Sequence, residues 1–134
     1  MTQQDTVLLV DDDLDFVEVN RSALEAAGYK VITAHDGEEG LRLARGNPIK
    51  VAVIDVMMKT PDEGFVLARQ LRGDERTRQI PLLMLTSVNE EHRKQGLLTF
   101  SERDRDEAYL PVDRFIDKPV PPKRLVELVR ETLA

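Results

Sequence analysis

The chain has 134 residues, which is enough for one domain with a substantial buried core. Its 19 Lys and Arg residues against 25 Asp and Glu residues give a net charge of −6, so a nucleic-acid backbone or an anionic membrane is a poor partner. The sequence contains no cysteine, which excludes disulfides, thiolate catalysis and thiolate metal sites.

Apolar segments of two different periodicities alternate along the chain. In chain order the predicted elements are a strand at 6–10, a helix at 14–27, a strand at 29–34, a helix at 37–46, a strand at 50–54, a helix at 64–72, strands at 80–86 and 114–117, and a helix at 122–133. The first, third and fourth strands are almost continuously apolar, which is typical of parallel strands covered on both faces. The pattern predicts an α/β fold, an open parallel sheet flanked by helices.

Local signals mark two of the helix ends. Gly28 stops the first helix, and Asp36 and Glu39 have the spacing of a capping box at the start of the second. A long connection separates the fourth and fifth strands, where short helices are predicted over 89–96 and from Ser101. Connections of this length are uncommon and are often functional.

Polar side chains stand at the ends of four predicted strands. They are Asp11, Asp12 and Asp13 after the first strand, Asp55 after the third, Thr86 and Ser87 at the end of the fourth, and Lys118 after the fifth. Ligands of open parallel sheets bind beyond the carboxyl ends of the strands, so these groups are expected to converge at one edge.

Such a group of residues favours phosphoryl chemistry. Clustered carboxylates repel one another unless a cation lies among them, and an all-oxygen donor set indicates Mg²⁺, with Mn²⁺ or Ca²⁺ as alternatives. A hydroxyl and a lysine would bind the other phosphoryl oxygens, and an aspartate can itself be the nucleophile. Each residue alone has a simpler explanation as a helix cap, a strand residue or a solvated turn. Their coincidence at one edge favours the functional interpretation.

Four segments resemble the receiver domains of two-component response regulators. "VLLVDDD" is similar to the first strand with its acidic pair, "VAVIDVMM" to the strand with the phosphoacceptor, "IPLLMLTS" to the strand with the switch hydroxyl, and "FIDKPV" to the lysine-proline turn. The resemblance covers nearly the whole chain. It implies a flavodoxin-like fold, with a five-stranded parallel sheet of order 2-1-3-4-5 and five helices. Residues 1–134 are then expected to form a single receiver domain of the stand-alone type.

The resemblance also implies roles for individual residues. Asp55 would be the phosphoacceptor, and Thr86 and Lys118 would contact the phosphoryl oxygens. Thr86 would also act with Phe115 as the switch pair that reports phosphorylation.

A metal set is implied in the same way. Asp12 would bind Mg²⁺ directly, Asp11 mainly through water, and Asp55 and the main-chain carbonyl of Met57 would complete the protein ligands.

The sequence departs from the family pattern at three places. Lys59 stands where a proline is usual, Pro61 is displaced, and the turn that follows the phosphoacceptor is one residue longer. The segment from Thr86 to Lys118 is longer than usual. Phe115 replaces the frequent tyrosine and has no hydroxyl group.

The implied function is that of a phosphoacceptor in a two-component phosphorelay. A histidine kinase or phosphotransfer protein would donate the phosphoryl group to Asp55, and a downstream protein target would be contacted; a homodimer is also allowed. The chain would not be a classical enzyme, although it would catalyse its own Mg²⁺-dependent phosphorylation and dephosphorylation.

Neither nucleic acid nor membrane is an expected partner. The cytoplasm is the expected location, since no run approaches the ~20 apolar residues of a span and no cleavage signal begins the chain.

Two other functions remain open. An unphosphorylated pseudo-receiver would share the fold, but the intact acidic set and Lys118 argue against a pure scaffold. A Mg²⁺-dependent phosphatase could use the same aspartate and lysine on an outside substrate, but the sequence shows no cap domain and no second general acid.

Overall fold

The structure is a computed structural model that describes residues 4–86 and 112–134. The strands in these ranges are β1 (Thr6–Val10), β2 (Lys30–Ala34), β3 (Val51–Asp55), β4 (Leu82–Thr86) and β5 (Arg114–Asp117). The helices are α1 (Leu14–Ala26), α2 (Gly37–Gly46), α3 (Glu63–Arg72) and α4 (Pro122–Leu133). The helices predicted over 89–96 and from Ser101 lie outside the described residues, as does Ser87.

The five strands form one parallel sheet in the order β2-β1-β3-β4-β5, which confirms the predicted fold. Val10 pairs with Ile54, and Asp55 pairs with Leu85, so β1, β3 and β4 end at nearly the same level. This register places the residues that follow the strands side by side at the carboxyl edge of the sheet.

Helices cover both faces of the sheet, because side chains of each strand alternate between two apolar clusters. One face packs on α2 and α3 and contains Leu8, Val10, Ala52, Ile54, Met84, Ala44, Leu67 and Leu71. The other packs on α1 and α4 and contains Val7, Leu9, Val51, Val53, Leu85, Val17, Leu24, Leu125 and Val129. The central strands are therefore buried on both sides, as their continuous apolar sequences predicted. None of the helices in the described ranges is both long and apolar enough to span a membrane.

Most element ends agree with the sequence signals to within two residues. Gly28 has a φ of 101°, a left-handed conformation that glycine adopts without steric cost, and it follows α1 directly after the cap residue Ala27. Strand β4 begins at Leu82, two residues later than predicted. Pro81 precedes it and has no N–H group for a strand ladder.

The start of α2 has a modified capping box. The Asp36 carboxylate accepts a hydrogen bond from the Glu39 N–H at 2.8 Å, as the spacing predicted. The Glu39 carboxylate accepts from the N–H of His35 at 3.0 Å, one residue before the cap. The reciprocal bond therefore fixes the chain that enters the helix.

A close contact between backbones fixes the start of α3. A Cβ atom on Gly64 would lie 2.2 Å from the Asp55 carbonyl oxygen and 2.7 Å from the Val56 Cα atom. The Gly64 N–H donates to the Val56 carbonyl at 2.9 Å. Only glycine allows the first turn of α3 to lie so close to the end of β3, where the proposed acceptor stands.

Candidate functional site

Three carboxylates meet at the carboxyl edge of the sheet. Asp11 and Asp12 follow β1, and Asp55 is the last residue of the neighbouring strand β3. One oxygen from each of the three lies within 4.8 Å of the others. Asp11 is fully buried and Asp55 is 6% exposed, whereas Asp12 is exposed to solvent. The convergence expected from the strand ends is thus present for these three residues.

The ammonium group of Lys118 enters this acidic cluster from the end of β5. Its Nζ atom lies 2.8 Å from Asp11 Oδ2 and 3.7 Å from Asp55 Oδ2. The Lys118 backbone N–H donates to the Thr86 carbonyl at 2.9 Å, which ties this turn to the end of β4. The peptide bond between Lys118 and Pro119 is cis.

An aromatic ring covers the same ammonium group. Lys118 Nζ lies 4.4 Å from the centroid of the Phe16 ring, within the range of a cation–π contact. Phe16 belongs to the first turn of α1, directly after the acidic segment. The sequence argument missed this residue, and the only available signal was its position in the turn that follows Asp13.

The electrostatic balance of the cluster is negative. Burial, with a contribution from the charge of Asp11, raises the pKa of Asp55 to about 7 although Lys118 opposes the shift. Burial alone would lower the pKa of Lys118, but its hydrogen bond to Asp11 and the charges of Asp55 and Asp11 outweigh burial and raise that pKa. The cluster therefore contains three carboxyl groups and only one ammonium group.

Asp13 has a different role from its two neighbours. Its side chain accepts a hydrogen bond from the Phe16 N–H at 3.2 Å and caps α1. Its own N–H donates to Asp11 Oδ1 at 2.9 Å. The simpler interpretation considered for one member of the acidic trio thus holds for Asp13, which also helps to orient Asp11.

The two residues of the expected switch pair lie on adjacent strands. Thr86 is the last residue of β4 and is 1% exposed, and it pairs in register with Asp117. Phe115 on β5 is partly buried, and its ring packs edge-on against Phe65 of α3, with centroids 6.2 Å apart and planes at 71°.

The lengthened turn after β3 is closed by hydrogen bonds. Met57, whose carbonyl is the expected metal ligand, is partly buried and packs against the core with its side chain. Lys59 N–H donates to Glu63 Oε1 at 2.8 Å, and the other oxygen of Glu63 accepts from the Gly37 N–H at 2.6 Å. Glu63 was not singled out by the sequence argument, because no local pattern connects it with Gly37.

The donor set fits a hard divalent cation. All the converging ligands are oxygens, which Mg²⁺ and Ca²⁺ prefer. Three carboxylates lie together with one ammonium group, that of Lys118, and a cation between the carboxylates would compensate the remaining negative charge.

The chain is similar in sequence to known proteins. A family model described as the response regulator receiver domain matches residues 7–130. The alkaline phosphatase synthesis transcriptional regulatory protein PhoP of Bacillus subtilis is 35% identical over 127 residues, which cover 95% of this chain and 48% of that protein. The phosphate regulon transcriptional regulatory protein PhoB of Pseudomonas aeruginosa is 33% identical, with 96% of this chain and 51% of that protein covered. The chain spans about half the length of the curated relatives it matches.

Solved structures share the whole fold. The chemotaxis response regulator CheY4 of Vibrio cholerae aligns with a TM-score of 0.81 and 27% identity, covering 98% of this chain and all of that one. The receiver domain of the Francisella response regulator 1452 aligns with a TM-score of 0.77 and 26% identity, covering 97% of each chain.

Proposed function

The chain belongs to the response regulator receiver domain family of two-component signalling, and we propose that it accepts a phosphoryl group on Asp55 from a histidine kinase or a phosphotransfer protein. The observation that carries this proposal is the position of Asp55. Its carboxylate ends a buried strand at the open edge of the sheet, beside two further carboxylates and an ammonium group. A buried strand holds a nucleophile in one orientation, and phosphoryl transfer depends mainly on such positioning and on charge neutralisation.

The transfer step follows from these groups. A carboxylate oxygen of Asp55 attacks the phosphorus of the donor's phosphohistidine, the bond between phosphorus and the imidazole nitrogen breaks, and the imidazole leaves with the electron pair and takes up a proton. Lys118 approaches Asp55 to 3.7 Å and is suited to bind a phosphoryl oxygen as charge is transferred. We assign Thr86, at the end of the adjacent strand, to a second phosphoryl oxygen.

We further propose that Asp11, Asp12, Asp55 and the Met57 carbonyl hold Mg²⁺. When bound, the ion supplies positive charge that offsets the charge of the carboxylates and of the phosphoryl oxygens. Because Asp12 is exposed and Asp11 is engaged by Lys118 and the Asp13 N–H, Asp12 is the better direct ligand, and Asp11 suits contact through water.

The partners that go with this role are proteins. We propose that residues 1–134 act as one receiver domain that hands the phosphorylation signal to a downstream protein target by contact, with the Thr86–Phe115 pair as the switch. A homodimer is one form that such a contact can take. The domain would catalyse its own phosphorylation and dephosphorylation and no reaction of an outside substrate. The cytoplasm, where phosphoryl donors are made from ATP, is the location that fits the proposal.

The test is incubation with Mg²⁺ and a small phosphodonor such as acetyl phosphate, followed by intact mass spectrometry. One phosphoryl adduct is expected, absent in Asp55→Asn and after chelation of the metal, and slow to form in Asp12→Ala at limiting Mg²⁺. Full labelling of Asp55→Asn would contradict the assignment of the acceptor. A wild-type chain without any adduct would support the pseudo-receiver, and continuing turnover of an outside phosphate ester would support the phosphatase.

A further inference from the structure

Glu63 joins two segments that flank the acidic cluster. It is the first residue of α3, and Gly37 is the first residue of α2. Glu63 Oε2 accepts a hydrogen bond from the Gly37 N–H at 2.6 Å, and Glu63 Oε1 accepts one from the Lys59 N–H at 2.8 Å. One carboxylate thus bridges the start of α2 and the turn between β3 and α3.

The position of this carboxylate is electrostatically favourable. The first N–H groups of a helix have no partner within the helix, and the helix dipole places partial positive charge there. Glu63 lies in the first turn of its own helix and also receives the first N–H of α2. Hydrogen bonds to a charged acceptor are about twice as strong as neutral ones.

The bridge fixes one end of the segment that contains Met57. The other end is Val56, whose N–H donates to the Leu85 carbonyl and whose carbonyl accepts from the Gly64 N–H, both at 2.9 Å. Only Met57 and Met58 lie between this anchor and Lys59. The orientation of the Met57 carbonyl therefore depends on how firmly Lys59 is held.

The bridge is possible because residue 59 is not a proline. A proline at this position would have a fixed φ but no N–H group to donate. Lys59 has the opposite properties, and its N–H is the group that Glu63 binds. Its side chain adds an ion pair to Asp36 at 3.2 Å, but this pair is 71% exposed on the lysine side and contributes little.

We infer that Glu63 is a positioning residue, which holds the Met57 carbonyl in place for a divalent cation by clamping the β3–α3 turn to the start of α2. This inference rests on the proposed metal site and adds a residue that does not itself touch the metal. Groups that orient metal ligands in this way typically change metal affinity by about 10- to 100-fold when they are removed.

The variants are chosen to break the bridge from both sides. Glu63→Gln keeps the length of the side chain but removes the charge and turns one accepting oxygen into an NH₂ group. Gly37→Ala adds a Cβ that would lie 3.3 Å from Glu63 Cγ and Oε2, so the carboxylate must shift. Glu75→Gln, an exposed residue beyond the far end of α3, is the matched control.

Three measurements are made on each variant. Amide NMR follows the Gly37 and Lys59 protons, calorimetric titration gives the Kd for Mg²⁺, and intact mass gives the rate of adduct formation at limiting and saturating Mg²⁺. In Glu63→Gln we expect both amide protons to move upfield, the one that faces the new NH₂ group by more than the one that keeps an oxygen acceptor, and the Mg²⁺ Kd to rise about tenfold. Phosphorylation should slow at limiting Mg²⁺ and recover at saturation, which a simple loss of folded protein would not produce. Gly37→Ala should shift the Kd in the same direction, and Glu75→Gln should leave it unchanged.

Two results would overturn the inference. One is a Mg²⁺ Kd in Glu63→Gln within about twofold of the wild type although both amide protons have moved. The other is that neither amide proton moves in Glu63→Gln, which would show that the Glu63 carboxylate does not bind them. A wild-type chain that binds Mg²⁺ in a Glu63-dependent manner but forms no adduct would refute the phosphoacceptor role and support the positioning role.

Discussion

The ammonium group of Lys118 lies closer to Asp11 than to the proposed acceptor Asp55, at 2.8 Å against 3.7 Å. Asp11 is fully buried, and Lys118 is the cation that compensates its charge. A divalent cation among the carboxylates must share this charge with Lys118. We therefore expect the lysine to oppose metal binding and, in the proposed function, to assist phosphoryl transfer.

Lys118→Ala should consequently separate the two effects. We expect Mg²⁺ to bind about three- to tenfold more tightly, since one like charge has left a partly buried site, and we expect phosphorylation of Asp55 by a small donor to become much slower. Calorimetry and intact mass spectrometry measure the two quantities. Lys123→Ala, an exposed residue on α4, is the control and should change neither. Weaker Mg²⁺ binding in Lys118→Ala would show that the lysine orders the carboxylates and does not compete with the metal.

Asp55 should make the stability of the metal-free protein depend on pH. Its pKa is raised from 3.8 to about 7 in the folded state, mainly by burial. A folded-state pKa above the unfolded-state value means that the stabilisation is complete below the lower value and is lost as the pH rises through the higher one. Asp55→Asn cannot ionise. Above pH 7 its free energy of unfolding should therefore exceed that of the wild type by up to about 4 kcal/mol, and it should unfold at a higher urea concentration.

The urea midpoints are measured with a chelator present at several pH values between about 4 and 8, which bracket the ordinary and the raised pKa. The advantage of Asp55→Asn should shrink toward zero at the acidic end. The exposed residue Asp15, changed to Asn, serves as the control. A difference between wild type and Asp55→Asn that stays constant over this range would mean that Asp55 does not titrate there.

Gly64→Ala should destabilise the fold and disturb the backbone of the proposed acceptor Asp55. The added Cβ would lie 2.2 Å from the Asp55 carbonyl oxygen, a backbone atom that cannot rotate away. We expect a loss of about 3 kcal/mol in the free energy of unfolding, at the upper end of the range for overpacked sites. Gly46→Ala is the matched control, because nothing lies within 4 Å of its Cβ position. Equal urea midpoints for the two variants would contradict the close backbone contact.

The convergence of the acidic residues was predictable because it depends on topology. Parallel strands that alternate with helices end at the same edge, so Asp11, Asp12 and Asp55 had to approach one another once the sheet was inferred. The order of the strands came from the resemblance of whole motifs, since periodicity alone leaves strand order open. The structure has the same order.

The contacts that tune the site were not predictable in this way. The preference of Lys118 for Asp11 and its contact with the Phe16 ring depend on side-chain conformations and on the placement of α1. The bond between Glu63 and Gly37 spans 26 positions and follows no periodicity. Such contacts arise from tertiary packing, which the spacing of residues in a sequence does not encode.

The lifetime of the phosphorylated form should be long. The resemblance to receiver domains implies that the side chains two residues after the phosphoacceptor and two residues after the switch hydroxyl flank the path of the hydrolytic water. At these positions the chain has Met57, which is partly buried, and Val88, which lies outside the described residues, and both are apolar. Neither side chain can orient an attacking water by hydrogen bonding, and both can exclude it. Met57→Asn combined with Val88→Glu should speed the decay of the adduct, followed by intact mass after removal of the donor. An unchanged decay rate would show that water reaches the phosphoryl group by another path.

The contact with Phe65 should restrain the movement of Phe115 in the proposed Thr86–Phe115 switch. Its ring packs edge-on against Phe65, 6.2 Å between centroids, and it has no hydroxyl group that favours an outward position. Edge-to-face pairs contribute about 0.5–1.5 kcal/mol beyond the area they bury, so leaving this contact has a cost. We expect Phe65→Leu to weaken this restraint and to enlarge the response of Phe115.

Fluorine NMR of fluorophenylalanine-labelled protein, with and without beryllofluoride and Mg²⁺, measures this response, and the Phe115 signal is assigned by Phe115→Leu. In the wild type the Phe115 signal should shift less than that of Phe16, whose ring contacts Lys118 at the site itself. If the Phe115 signal shifts more than that of Phe16, and equally in the wild type and in Phe65→Leu, then the pair with Phe65 does not restrain the switch.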